Sequence, residues 1–192
     1  MRISGGTAKG RMTATKRLLA KTSSGERLRP TSSKVREALF DILRNRIEGA
    51  CFVDLYAGTG TVGLEALSRG ARKSVFVEPD ELRFKTIKQS ASELGFQERA
   101  LVIKGSAQEF LEKASSILES FDIFFLDPPY QSEEIERVLP VIGESKLLSA
   151  KGIVIIEHFS KKKVPAEACR LKIEKVYRYG DTVLTLYRIQ KG

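Results

Sequence analysis

Short apolar runs and amphipathic stretches take turns along this chain, and that alternation constrains its fold more than any other feature. Cys51 to Tyr56, Ser74 to Glu78, Ala100 to Lys104, Asp122 to Asp127 and Gly152 to Glu157 are strand-sized. Helical spacing fills the intervals, over Thr61 to Arg69, Asp80 to Leu94, Ala107 to Leu118 and Glu133 to Gly143. Strand, helix, strand in repetition needs crossover connections, and right-handed crossovers cover both faces of a parallel sheet. Near the C-terminus, Arg170 to Tyr177 and Thr182 to Ile189 are joined through Tyr179-Gly180-Asp181 with no helix between them, which predicts an antiparallel hairpin. The expected fold class is therefore α/β, doubly wound and Rossmann-like, with a mostly parallel seven-stranded sheet closed by that hairpin.

With 192 residues the chain can bury a core without a metal or disulfide staple. Apolar runs such as Ile123 to Leu126 fall far short of the roughly 20 residues that cross a bilayer, so no membrane span is expected. The basic N-terminus has no apolar stretch behind it that would make a secretory signal. Cys51 and Cys169 lack any paired spacing, so neither a disulfide framework nor a bound metal is expected, and a reducing cytoplasm is the expected compartment.

Charge divides the chain unevenly. Residues 1–46 carry twelve Lys and Arg against three acids, which accounts for the whole net charge of +9. From Lys9 to Arg29 the composition is Gly, Ser, Thr and basic residues, so residues 1–30 are expected to form a basic hairpin or arm ahead of a domain over 31–192. Thr31-Ser32-Ser33 then precede Val35, Ala38, Leu39, Ile42 and Leu43, one apolar helix face. A basic arm suits a polyanion; a solvated basic surface without a partner explains the charge equally well.

The segment from Asp54 through Tyr56 to Gly58, Gly60 and Gly63 follows the first strand and opens a helix, with glycines spaced G-x-G-x-x-G. Such a turn lets a ligand approach backbone N–H groups at a helix N-terminus. Glu78 ends the next strand, where a carboxylate can accept both ribose hydroxyls of a nucleoside. That pattern serves NAD as well as S-adenosylmethionine. Asp54 shifts the balance, because it would repel a pyrophosphate and suits the α-amino group of a methionine moiety.

The fourth strand runs into Asp127-Pro128-Pro129-Tyr130. Two prolines remove two N–H donors and fix two φ angles, leaving carbonyl oxygens and a carboxylate in a rigid, acceptor-only turn. Acceptors without donors suit an NH₂ group. An exocyclic base amine held by Asp127 and the Pro128 carbonyl would be steered toward a methyl sulfonium, with Tyr130 stacking on the base.

These residues resemble a known family. Asp127 to Tyr130 is similar to the motif of methyltransferases acting on exocyclic nitrogens of adenine, guanine or cytosine. Arg2-Ile-Ser-Gly-Gly6, Lys9-Gly-Arg11, Leu28-Arg-Pro-Thr31, Val35 to Phe40, Asp54 to Gly60 and Gly63-Leu-Glu65 together resemble the RsmD family of 16S ribosomal RNA guanine-N2 methyltransferases. The likeness runs through Gly180 to Arg188, nearly the whole chain. It implies an S-adenosyl-L-methionine-dependent enzyme acting on 16S rRNA in an assembling small ribosomal subunit; a monomer is the expected state. Carried over, the catalytic turn is Asp127, Pro128, Pro129 and Tyr130, and the cofactor site is Asp54, Tyr56, Gly58, Gly60, Glu78, Ser106, Ala107 and Asp127. Arg2, Lys9, Arg11, Arg27, Arg29, Thr31 and Arg36 are the expected RNA contacts. One departure is Ser106, where such enzymes often have an acid for the adenine amino group; a hydroxyl or the Ala107 N–H would have to serve.

Two other readings stand beside this one: an adenine-N6 methyltransferase acting on DNA or another RNA, and a non-catalytic RNA-binding assembly factor. Intact Asp127 to Tyr130 argues against the second. Lys161-Lys162-Lys163 is expected to be a solvated loop, and His158 and both cysteines to be structural.

Overall fold

Five strands lie parallel: β1 (Cys51–Asp54), β2 (Lys73–Glu78), β3 (Ala100–Lys104), β4 (Phe121–Leu126) and β5 (Leu148–Phe159). Three more extend the sheet antiparallel, β6 (Glu167–Ala168), β7 (Leu171–Tyr179) and β8 (Thr182–Ile189), in the order β3-β2-β1-β4-β5-β8-β7-β6. This computed structural model describes residues 2–14, 32–114, 120–129 and 132–190. Among the described residues the sheet has eight strands where seven were expected. Glu167 and Ala168 are too short a run to show any period. β5 also starts four residues early, because Leu148 pairs with Phe121 ahead of a register shift in β4.

Alternation along the strands sends side chains to two helical layers. On one face Phe52, Phe76, Ile123, Phe125, Ile153 and Ile155 meet α1 (Ser33–Ile42), α2 (Thr61–Ser68) and α3 (Glu81–Leu94). On the other, Val53, Val75, Phe124, Leu126, Val154 and Ile156 meet α4 (Ala107–Ala114) and α5 (Glu134–Glu144). Each fully buried Phe, Ile or Val contributes about 1.5–3 kcal/mol. The helices start where their sequences cap them: Ser32 Oγ accepts the Val35 N–H, and Asp80 Oδ1 accepts the Arg83 N–H at 2.8 Å.

Residues 2–14 lie against this body. Arg2 bridges Met12 antiparallel, and Ile3 and Ala8 are buried. Ser68 Oγ donates to the Gly5 carbonyl at 2.6 Å and accepts the Ala8 N–H at 2.9 Å. A Cβ on Gly6 would stand 1.8 Å from the Ser68 carbonyl oxygen, so glycine is required at that contact. The segment 15–31 lies outside the described residues.

Candidate active site

Because β1, β2 and β4 run the same way, their carboxyl ends share one edge of the sheet, and three acids stand there on the α1–α3 face. Asp54 follows Phe52, Glu78 follows Phe76 and Asp127 follows Phe125, each two residues past a buried aromatic of that face. Asp54 is buried, and its Oδ2 accepts the Gly63 N–H at 3.1 Å, tying strand to helix. Loss of water raises its carboxyl to about 7; the Gly63 N–H opposes the rise, and the nearby charges of Asp127 and Glu78 add to it.

Glu78 holds the glycine loop. Its Oε2 accepts the Gly58 N–H at 2.8 Å and its Oε1 the Asp80 N–H at 3.0 Å. A carboxylate has about four acceptor positions, so these two N–H groups do not exhaust it. Burial raises the Glu78 carboxyl from its ordinary value, against the lowering effect of those N–H groups and Arg83. The three glycines do different work. A Cβ on Gly60 would meet Ile87 Cγ1 at 2.8 Å and one on Gly63 would meet Phe76 Cε1 at 2.3 Å, so both permit close packing. A Cβ on Gly58 would meet nothing nearer than the Tyr56 carbonyl oxygen at 4.0 Å, and its φ of +54° leaves that backbone facing open space.

Ser106 has a task that the sequence reading did not give it. Its Oγ accepts the Glu109 N–H at 3.2 Å while its own N–H donates to Glu109 Oε2 at 2.8 Å, a reciprocal cap on α4. The Ser106 hydroxyl also bonds the Glu109 carboxylate, which leaves the first N–H groups of α4 as donors, so the ring N1 of an adenine suits this corner better than its amino group. Tyr56, half-buried, donates its hydroxyl to Glu134 Oε2 at 2.8 Å and so joins the loop after β1 to α5.

Asp127 is half-buried, Pro128 buried and Pro129 exposed, directly after β4. The Pro129 carbonyl accepts both the Ser132 N–H at 3.0 Å and the Ser132 hydroxyl at 2.7 Å, which closes the turn. Tyr130 lies outside the described residues, as do Arg27, Arg29 and Thr31. Lys162 departs from the expected solvated loop: its Nζ donates to the Ser132 carbonyl at 2.8 Å and pairs with Glu136 at 3.1 Å. His158 is buried between Thr185 Oγ1 at 2.8 Å and its neighbour's carbonyl at 3.0 Å, and burial lowers its pKa.

The structure does not gather the expected RNA contacts at this edge. Arg36 is buried; it pairs with Glu65 at 3.2 Å and donates to the Arg2 carbonyl at 3.0 Å, so it is not offered to a phosphate. Glu65 also takes Arg69 at 2.9 Å and the Ser4 hydroxyl at 2.5 Å, which makes the Ser4, Val35 to Phe40 and Gly63-Leu-Glu65 blocks one structural lock. Arg11 donates to the Glu93 and Leu94 carbonyls at the end of α3. Arg2 and Lys9 are exposed near the end of α2, a helix of eight residues and so about 12 Å from its glycine loop.

A second basic region does reach the edge. The β7–β8 turn adjoins the end of β5, with Ser160 N–H donating to the Asp181 carbonyl at 2.8 Å. Lys161, Lys163, Arg178 and Tyr179 are exposed there. A finer charge profile would have found them: residues 160–192 hold nine bases against three acids, while 47–159 hold twelve against eighteen.

Acids and open acceptors at the carboxyl edge fit a ligand that brings positive charge and hydroxyl groups, as a sulfonium nucleoside does, and not a pyrophosphate. Fold and cofactor class together make this a Rossmann-like, S-adenosyl-L-methionine-dependent methyltransferase. Within that class the chain belongs to the family described as "Conserved hypothetical protein 95", whose model matches residues 1–188. It is 31% identical to the Bacillus subtilis protein named "Putative rRNA methyltransferase YlbH", over 98% of each chain. It is 28% identical to "Ribosomal RNA small subunit methyltransferase D" of Escherichia coli K12, over 98% of this chain and 89% of that one. The solved structure of "Putative methyltransferase yhhF from Escherichia coli" superposes with a TM-score of 0.81 at 27% identity, covering 100% of this chain and 99% of that one.

Proposed function

We propose that the protein methylates the exocyclic N2 of a guanine in 16S rRNA of the small ribosomal subunit, with Asp127, Pro128, Pro129 and Tyr130 forming the catalytic turn. The observation that carries this reading is the acceptor-only Asp127-Pro128-Pro129 turn at the same sheet edge as Asp54 and the glycine loop. When bound, S-adenosyl-L-methionine supplies an electrophilic methyl group on a sulfonium. Gly58 would leave backbone room for it while Gly60 lets the loop pack against Ile87, Glu78 would take ribose hydroxyls, Asp54 would face its α-ammonium, and Ser106 and Ala107 would hold its adenine. Tyr56 steadies the loop beneath.

The amine does the attacking. Its nitrogen lone pair is delocalised into the ring, and hydrogen bonds to Asp127 and the Pro128 carbonyl draw it toward a pyramidal, nucleophilic shape. The new N–CH₃ bond forms as the S–CH₃ bond breaks, and the amine proton leaves by way of Asp127 to water. A base must leave its stack to reach such a turn, so the target is an unpaired or loosely held nucleotide. Lys161, Lys163, Arg178 and Tyr179 stand where flanking phosphates and bases would lie, while Arg2 and Lys9 are left for a more distant strand. Arg27, Arg29 and Thr31 would join them in contacting the RNA. Names of relatives support the rRNA reading.

Unmodified small subunits incubated with radiolabelled donor and digested to nucleosides should yield labelled N2-methylguanosine. Asp127→Ala should lower the rate by about 10²–10³-fold. Label in N6-methyladenosine, or none, overturns the assignment.

A further inference from the structure

The row of acids along the sheet edge does not stop at Asp127. β4 and β5 pair in register, Phe125 with Ile155 and Leu126 with Ile156, so the next residues along, Asp127 and Glu157, are neighbours about 4.8 Å apart at the backbone. Glu157 follows Ile155 of the α1–α3 face, which places its side chain on the same face as Asp127. It is 3% exposed. It also lines, with Pro128, Pro129, Ile135 and Lys162, a small cleft between the turn and the end of β5. Its carboxyl is held largely out of water there, and no step of the methyl transfer uses it.

We propose that Glu157 selects the base: its carboxylate accepts the N1–H of a guanine whose N2 amine lies between Asp127 and the Pro128 carbonyl. This rests on the reading of the site as an exocyclic-amine methyltransferase. The chemistry of the edge decides the choice. Guanine presents three adjacent hydrogens, one on N1 and two on N2, to three acceptors, namely Glu157, Asp127 and the Pro128 carbonyl. Adenine and cytosine present an amine beside a bare ring nitrogen, whose lone pair would face the Glu157 carboxylate. A site built to accept a hydrogen rejects an analogue that lacks it, because lone pair then meets lone pair in a place without water. Asp127 thus handles any exocyclic amine, and Glu157 makes it the amine of guanine.

The test places guanine or 2-aminopurine at the methylated position of small subunits assembled from unmodified rRNA. 2-Aminopurine keeps the N2 amine and has a bare N1. The wild-type protein should prefer guanine in kcat/KM by at least about tenfold. In Glu157→Gln, whose amide donates to a bare N1, that preference should fall toward one or invert, while calorimetry shows unchanged affinity for S-adenosyl-L-homocysteine. Equal rates on the two bases by the wild-type protein overturn the proposal whether or not the variant folds. So does a folded Glu157→Gln that keeps the wild-type preference. Wild-type methylation of adenine in place of guanine removes the underlying reading, an outcome distinct from either of those.

Discussion

Asp54 shows how one side chain can serve fold and ligand at once. Its carboxyl titrates near 3.8 in an unfolded chain and is raised to about 7 by burial in the folded protein. Between those values the folded state holds a proton that the unfolded state has lost, so folding stability declines as pH rises from about 4 to about 7. Asp54→Asn should flatten that decline, as read from urea midpoints across the interval. A cation beside Asp54 favours the ionised form, so cofactor binding near pH 6 should release a proton. Calorimetry with S-adenosyl-L-homocysteine in buffers of different ionisation enthalpy measures that release, and the same heat in all buffers would place the α-ammonium elsewhere. The place of Glu78 beside the glycine loop was legible because its distance from the glycines is fixed within one strand–helix–strand unit. Arg36 was not: its partner Glu65 lies 29 residues on, and only packing of α1 against α2 joins them. A buried Arg in a basic stretch reads as a surface Arg until its acid is seen.

At the scale of elements, strand and helix order could be read because each unit carries its own period, and the edge of the sheet could be read because parallel strands deliver their ends together. What the period could not carry was β6, two residues long, and the pairing of β5 ahead of its apolar run, which depends on Leu148 meeting Phe121. The Ser106–Glu109 cap is written in the sequence as Ser-x-x-Glu at the start of α4. The loop between β1 and α2 allows a sharper separation of roles. Gly63→Ala drives a Cβ into the Phe76 ring and should destabilise the fold by about 1–3 kcal/mol. Gly58→Ala meets no neighbour but must hold a left-handed φ in the space assigned to the cofactor. Its main effect should be on S-adenosyl-L-homocysteine affinity, with a loss larger than its change in urea stability; equal losses in the two measurements would make Gly58 only a turn residue.

For the whole molecule, the even balance of charge after residue 46 conceals a division that the fold turns into a shape. Acids gather in 47–159, and the acid row at the sheet edge comes from that segment, while the basic C-terminal residues return beside it through β7 and β8. A polyanion approaching the edge is repelled by the acids unless the cations of the β5 end and the β7–β8 turn receive it. Arg2 and Lys9, a helix length away, cannot offset that repulsion to the same degree. Binding to unmodified small-subunit rRNA should therefore weaken steeply with salt. Each cation that meets a single-stranded phosphate contributes about 0.7 to the slope of log affinity against log salt. Replacing Lys161, Lys163 and Arg178 by Gln should lower that slope by about 2, whereas the Arg2 and Lys9 pair replaced by Gln should lower it by about 1 or less. If the N-terminal pair proves the larger, the RNA enters over α2 and α3 and the C-terminal turn is a bystander. The ranking of the two slopes, which is independent of the chemistry at Asp127, decides from which side the target strand reaches the methyl group.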